Sequence, residues 1–210
     1  MLEHMVRQLS AVADSVEVVG GTTLPDRVPG LGPLGGIRTG LEQTATETNL
    51  FVATDLPFPT TAFLGFFGRR ALEGDNDVLA CSIETRVPLC LGIARKVLPQ
   101  LDSMIQSSVR SVRRFVNDSQ SQIIRVEELT ELGFTADIFR NLNTPGEYLA
   151  GRGSESERGS RLAHARQHCL DPPLTPSPFD FRRPFRECAN VFVVGSVHEA
   201  RALETPDRGS

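Results

Sequence analysis

The sequence predicts an α/β layered fold built around a mainly parallel sheet. Short apolar runs alternate along the chain with segments whose apolar residues recur at helical spacing. One of those runs, Leu50-Phe-Val-Ala53, is nearly continuous, as expected of a strand buried on both faces of a parallel sheet. A chain of 210 residues with 40% hydrophobic content is long enough for one ordinary domain with a real core.

The elements follow in order. Leu2, Met5, Val6, Leu9, Val12 and Ala13 share a helical face, and Val16–Val19 then reads as a short strand ending at Gly20 and Gly21. A helix feeding a strand has the form of the second half of a βαβ unit, with no strand ahead of it. Asp26-Arg-Val-Pro-Gly-Leu-Gly-Pro-Leu-Gly-Gly36 is a glycine- and proline-dense loop running into a helix marked by Leu34, Ile37 and Leu41. After Leu50–Ala53 and Thr54-Asp55, a helix restarts with Thr60 or Thr61 as N-cap and Phe63, Leu64 and Phe67 inside. Val78–Cys81 is a further strand, and Val87 to Ile93 is extended. Val97, Leu98, Leu101, Met104 and Ile105 mark an amphipathic helix, and Val109, Val112, Arg113 and Val116 a shorter one. Ile123–Val126 reads as a strand, and Thr144, Pro145 and Glu147 form a capping box with proline at the first helical position.

From Gly151 the composition turns polar, with a proline-rich run from Pro172 to Pro178. Residues 151–210 are therefore expected to form a low-complexity, disordered extension to a domain of residues 1–150, with a short strand and helix over 190–203.

Charge and composition exclude several classes. A net charge of −4 and a pI near 5.6 argue against a nucleic-acid surface, which needs a basic stripe. No run has the length of a membrane-spanning helix, and the first residues lack the layout of a signal peptide, so cytoplasm is the expected compartment. The four cysteines show no paired spacing and read as thiols of a reducing compartment. Lys96 is the one lysine of the chain, so any lysine-dependent chemistry has a single candidate.

Several residues could carry chemistry. The glycines of the Asp26–Gly36 loop allow backbone N–H groups to approach an anion at the positive end of a helix. Asp55, at the C-terminal end of a buried strand, could hold a magnesium ion that bridges phosphates, or could cap the next helix. Asp26 could accept hydrogen bonds from a nucleobase or ribose, or could stabilise a turn with Pro25. Asn141 and Asn143 share one side of an extended stretch, where they face a polar ligand or satisfy a strand-to-helix turn. His164 and His168 lie one helical turn apart beside Cys169, a weak metal pattern without a carboxylate motif. Arg110, Arg113 and Arg114 read as a solvated face or a phosphate-facing cluster.

Together, these stretches resemble the molybdenum cofactor guanylyltransferases, within the nucleotidyltransferases of Rossmann-like fold. The loop Asp26–Gly36 resembles that family's aspartate and PGxGPLaG segment, and Phe51-Val-Ala-Thr-Asp-Leu-Pro-Phe58 its strand ending in a CDxPf-type motif. Arg86-Val-Pro-Leu-Cys-Leu91 resembles a segment with an arginine or histidine before a proline, and Phe139-Arg-Asn-Leu-Asn-Thr-Pro145 the FxNxNTP signature. Each motif is weak singly; their order and spacing over residues 1–150 make the combined signal.

The resemblance implies a three-layer, Rossmann-like nucleotidyltransferase fold, N-terminally truncated, because the family's first strand and its glycine-rich LAGGxSxRMGxDK-type loop have no counterpart here. It implies GMP transfer from GTP to molybdopterin carrying molybdenum, with Mg2+ as cofactor and with cofactor-biosynthesis proteins or molybdoenzymes as partners. Asp55 would be the metal-binding and catalytic aspartate. Asp26, Gly32, Pro33, Leu34, Gly35 and Gly36 would contact the nucleotide, and Asn141 and Asn143 would line the cofactor-substrate cleft. Two departures bear on activity: Lys96 stands too far along the fold to replace the family's loop lysine, and Gly20 or Gly21 stands where the family has an asparagine. The alternatives are a non-catalytic remnant or binding module, and a related nucleotidyltransferase acting on another nucleotide. The missing first strand would leave its neighbours unpaired in the middle of a sheet, and the late Val191–Val194 segment is a candidate to fill the gap.

Overall fold

The computed structural model describes residues 2–20, 24–27, 30–56, 59–139 and 190–194. Helix α1 (Leu2–Ser10) leads into β1 (Ser15–Val19), and α2 (Pro33–Gln43) into β2 (Thr48–Ala53). Then come α3 (Thr61–Glu73), β3 (Val78–Ser82) and β4 (Cys90–Ala94). A 3-10 turn over Arg95–Val97 opens α4 (Leu98–Gln106), followed by α5 (Val112–Asp118), β5 (Ser121–Arg125) and α6 (Val126–Glu131). A second 3-10 turn spans Ala136–Phe139, and the last strand is β6 (Asn190–Val194).

These strands form one six-stranded sheet in the order β1-β6-β2-β4-β3-β5. All neighbours are parallel except at β4, which runs antiparallel to both β2 and β3. The late strand β6 lies between β1 and β2, with Val193 opposite both Val18 and Val52. It therefore supplies the parallel partner that two otherwise unpaired central edges require.

Apolar side chains leave the sheet on both faces, which makes the molecule three layers. Phe63, Phe67, Leu9 and Leu129, from α3, α1 and α6, pack on one face with Val52 and Val193. Leu34, Ile37, Leu101 and Phe115, from α2, α4 and α5, pack on the other with Phe51 and Phe192. Alternation along β6 thus sends consecutive residues into opposite cores. On the second face, the Phe51 and Phe192 rings stack with centroids 5.1 Å apart. Gly40 of α2 lies against them, and a Cβ there would stand 2.7 Å from the Phe51 ring and 2.9 Å from Phe192.

Local signals behave as their chemistry dictates. Thr60 is the N-cap of α3 and accepts a hydrogen bond from the Phe63 N–H at 3.2 Å. Pro33 opens α2 and Pro99 lies in the first turn of α4, where a missing N–H costs nothing. Two boundaries differ from the sequence reading. Val126 opens α6 instead of ending β5, and α1 stops at Ser10, with Val12 packing from the turn that follows. Val12 is buried from that turn, whereas Val126 is only partly buried at the start of α6. No helix among the described residues is long and apolar enough to cross a membrane.

Candidate active site

The C-terminal edge of a parallel sheet gathers the ends of its strands and the starts of the following helices, and ligands bind there in open α/β folds. Strand β2 delivers Asp55 to this edge through a turn closed by the Leu56 N–H donating to the Ala53 carbonyl at 3.2 Å. Strand β1 ends at the same edge, where the Gly20 N–H donates to the Leu24 carbonyl at 2.9 Å and Val19 bridges to Leu24. Asp26 follows two residues later, and α2 begins at Pro33.

Between Leu24 and α2 the backbone needs glycine. Gly30 and Gly32 hold φ of 82° and 62°, left-handed values that a side chain would strain. A Cβ at either position would meet nothing within 4 Å, so conformation and not crowding demands glycine. Gly32 is the N-cap of α2, with no side chain capping the first turn. Arg110, from the connection between α4 and α5, donates to the Gly30 carbonyl at 2.7 Å and ties the loop down from outside. Arg38 of α2 pairs with Glu42 at 2.8 Å and with Asp102 of α4 at 2.6 Å, so the helix carrying the loop is itself pinned.

A cleft of about 210 Å3 opens at this edge, lined by Pro33, Ala53, Asp55, Arg86 and Phe139 among others. Small-molecule pockets run from about 300 to 1,000 Å3. The walls formed by the described residues therefore enclose only part of a nucleotide-sized ligand. Arg86 reaches the cleft from a tight turn in which Ile83 and Arg86 exchange backbone hydrogen bonds at 3.0 and 2.9 Å, with Glu84 in the left-handed region at φ 53°. Asp55 and Arg86 thus bring opposite charges to one concave surface.

Asp26 is half-buried, and its Oδ1 has no hydrogen-bond partner among the described residues. Burial raises its pKa from the ordinary carboxylate value. Such an orphaned acceptor matches a ligand that brings its own N–H donors. The next N–H, of Arg27, donates to the Thr39 hydroxyl at 3.4 Å, and that hydroxyl donates to the Gly35 carbonyl at 2.9 Å.

The candidate residues are distributed unevenly. Asp55 and Pro33 meet in the cleft. Gly32 is exposed, whereas Leu34, Gly35 and Gly36 are buried in the packed side of α2, so only their backbone is available to a ligand. Asn141 and Asn143 lie outside the described residues, as do His164, His168 and Cys169. Lys96 stands at the opposite edge, paired with Asp77 at 2.7 Å, because β4 runs antiparallel and carries its C-terminal end away from the cleft. Arg110, expected on a solvated face or in a phosphate-facing cluster, instead holds the Gly30 carbonyl, and Arg86, the first residue of the Arg86–Leu91 segment, lines the cleft. For Arg86 the usable signal was the turn before Val87-Pro88; for Arg110 none existed, since its partner lies 80 positions away.

Among the described residues no group of three or more histidine, cysteine or acidic side chains could cage a metal ion. A single carboxylate in a cleft fits magnesium nonetheless, because that ion is commonly held by one or two carboxylates plus substrate phosphates.

Comparison with known proteins agrees with this architecture. A probable molybdenum cofactor guanylyltransferase of Carboxydothermus hydrogenoformans is 29% identical over 158 residues, covering 70% of this chain and 79% of that protein. One from Flavobacterium johnsoniae is 26% identical over 156 residues, covering 68% and 82%. The crystal structure of molybdopterin-guanine dinucleotide biosynthesis protein A from Archaeoglobus fulgidus superposes with a TM-score of 0.63 at 19% identity, covering 74% of this chain and 85% of that one, which shows a shared fold. The model of the MobA-like NTP transferase domain matches residues 1–123, more than half of the sequence, and the chain belongs to that family.

Proposed function

We infer that this chain is a molybdenum cofactor guanylyltransferase, transferring GMP from GTP to molybdopterin with release of pyrophosphate. The observation that carries this reading is the convergence of Asp55, Arg86 and the start of α2 on one cleft at the C-terminal edge of the sheet. In the reaction, a phosphate oxygen of the cofactor attacks the α-phosphorus of GTP. A new P–O–P linkage forms as the bond from that phosphorus to the bridging oxygen breaks, and the electron pair departs with pyrophosphate. Asp55 would hold Mg2+ together with the nucleotide phosphates. The ion would supply charge neutralisation and alignment of the displaced group. Gly32 and the backbone of the first turn of α2 would receive phosphate oxygens, and Arg86 would offset charge on the departing pyrophosphate. Asp26 would accept hydrogen bonds from the nucleotide through its orphaned oxygen. Asn141 and Asn143 would face the second substrate. A role beside other cofactor-biosynthesis proteins or molybdoenzymes in the cytoplasm accords with this chemistry.

A second reading, a module that binds nucleotide without transferring it, is favoured by one observation. The chain's one lysine sits at the far edge of the sheet, paired with Asp77. Pyrophosphate release by the full chain supplied with GTP, magnesium and molybdopterin separates the readings. Release that needs both substrates and disappears in Asp55→Asn supports transfer. GTP binding without release supports the module, and neither binding nor release overturns both.

A further inference from the structure

Strand β1 is hydrogen-bonded, among the described strands, to β6 alone. β2, by contrast, keeps β4 on its other side whether β6 is present or not. The α1–β1 unit otherwise reaches the body through side chains: Met5, Leu9 and Val12 pack against the α3 face, and the Thr61 hydroxyl donates to Gln8 at 2.8 Å. So β6 fastens the N-terminal unit to the rest of the sheet.

The strand that does this arrives from far along the chain. Fifty positions of the sequence lie between Phe139 and Asn190. Its seat is shaped for it. Phe192 stacks on the Phe51 ring, with the bare backbone of Gly40 against both, and Val193 enters the opposite core; both are under 2% exposed. Parallel pairing on both sides supplies main-chain hydrogen bonds of the kind by which an added strand is recognised.

We propose that the groove between β1 and β2 is a strand-binding site, occupied by this chain's own residues 190–194, and that β6 docks in it as a separable unit. Seating β6 fixes β1, and with β1 the connection that leads to Asp26 and α2. A free peptide of the same pattern enters the same groove when β6 is withdrawn. The proposal is independent of what the cleft binds.

The test uses the full chain with Val193→Asp, which places a charge in the buried half of the strand. Hydrogen exchange should show β1 amides unprotected while β3 and β4 remain protected. A synthetic peptide of residues 187–197 should bind this variant saturably and restore β1 protection, and the same peptide carrying the Asp should do neither. Loss of protection throughout the molecule, or a peptide that fails to bind to or protect a variant whose β3 and β4 remain folded, overturns the proposal. In the unsubstituted chain, β1 and β6 amides should exchange together, at least about tenfold faster than those of β3 and β4. A single rate for all four strands overturns it as well.

Discussion

The Asp26 carboxyl sits half-buried beside the glycine loop, with one oxygen that no hydrogen bond from a described residue reaches and a pKa raised by burial. A carboxyl whose pKa is raised on folding stabilises the fold when protonated, and that contribution is lost as pH rises through the folded value. At neutral pH the charged form is therefore a cost. Asp26→Asn should melt higher than the parent chain at neutral pH, with the gap closing as pH falls through the carboxylate range. A thermal melt series across pH reads this, and a lower melting temperature for the variant at neutral pH would contradict it. Burial raises the Cys90 thiol in the same way. Full burial pushes its thiol up to about 12, and Cys81, nearly as enclosed, is also raised. Thiolate is the reactive form, so both should resist alkylation in the native protein at mildly alkaline pH and react once denatured. Mass-spectrometric mapping of each cysteine decides it; native labelling at Cys90 would show that the β4 core opens.

At the scale of elements, α2 lies close to the sheet at Gly40, with Leu34, Ile37 and Leu41 packed beside it. Its Gly40 leaves room for the stacked Phe51 and Phe192 rings, and any side chain there must displace aromatic carbons already packed on both strands. Gly40→Val should destabilise the fold by at least about 1–3 kcal/mol, the usual cost of overpacking. Denaturant unfolding measures it, and an unchanged midpoint would mean that α2 shifts freely over β6. The helices and most strands were legible in the sequence because their apolar periodicity and caps are local, as at Thr60 and Pro33. The turn of β4 against its neighbours was not, since an extended run does not declare its direction. Nor was α6: Val126 reads as strand until its neighbours show Leu129 buried one turn later.

For the whole molecule, chain order and spatial order part company. Among the described strands, the last in sequence lies second in the sheet, between the first two. That gap was visible as an unpartnered helix–strand start, and the candidate strand was visible as Asn190-Val-Phe-Val-Val194, but only the sheet joins them. The site shows the same division. Asp55 and the glycine loop were readable from local motifs, whereas Arg86 and the Arg110 tether depend on turns and distant contacts. What the fold achieves is to bring a strand-end carboxylate, a glycine-defined helix start and an arginine to one cleft, with Lys96 left at the opposite edge. On the proposed function, this cleft would receive the phosphates of a nucleotide through a metal at Asp55. Isothermal titration of GTP into the full chain, with and without magnesium, tests it most directly. Binding should be saturable and magnesium-dependent and should weaken at least about tenfold in Asp55→Asn, equivalent to about 1.4 kcal/mol, with little change when magnesium is withheld. Absence of binding by the parent chain, or equal magnesium-dependent affinity in the variant, would contradict it.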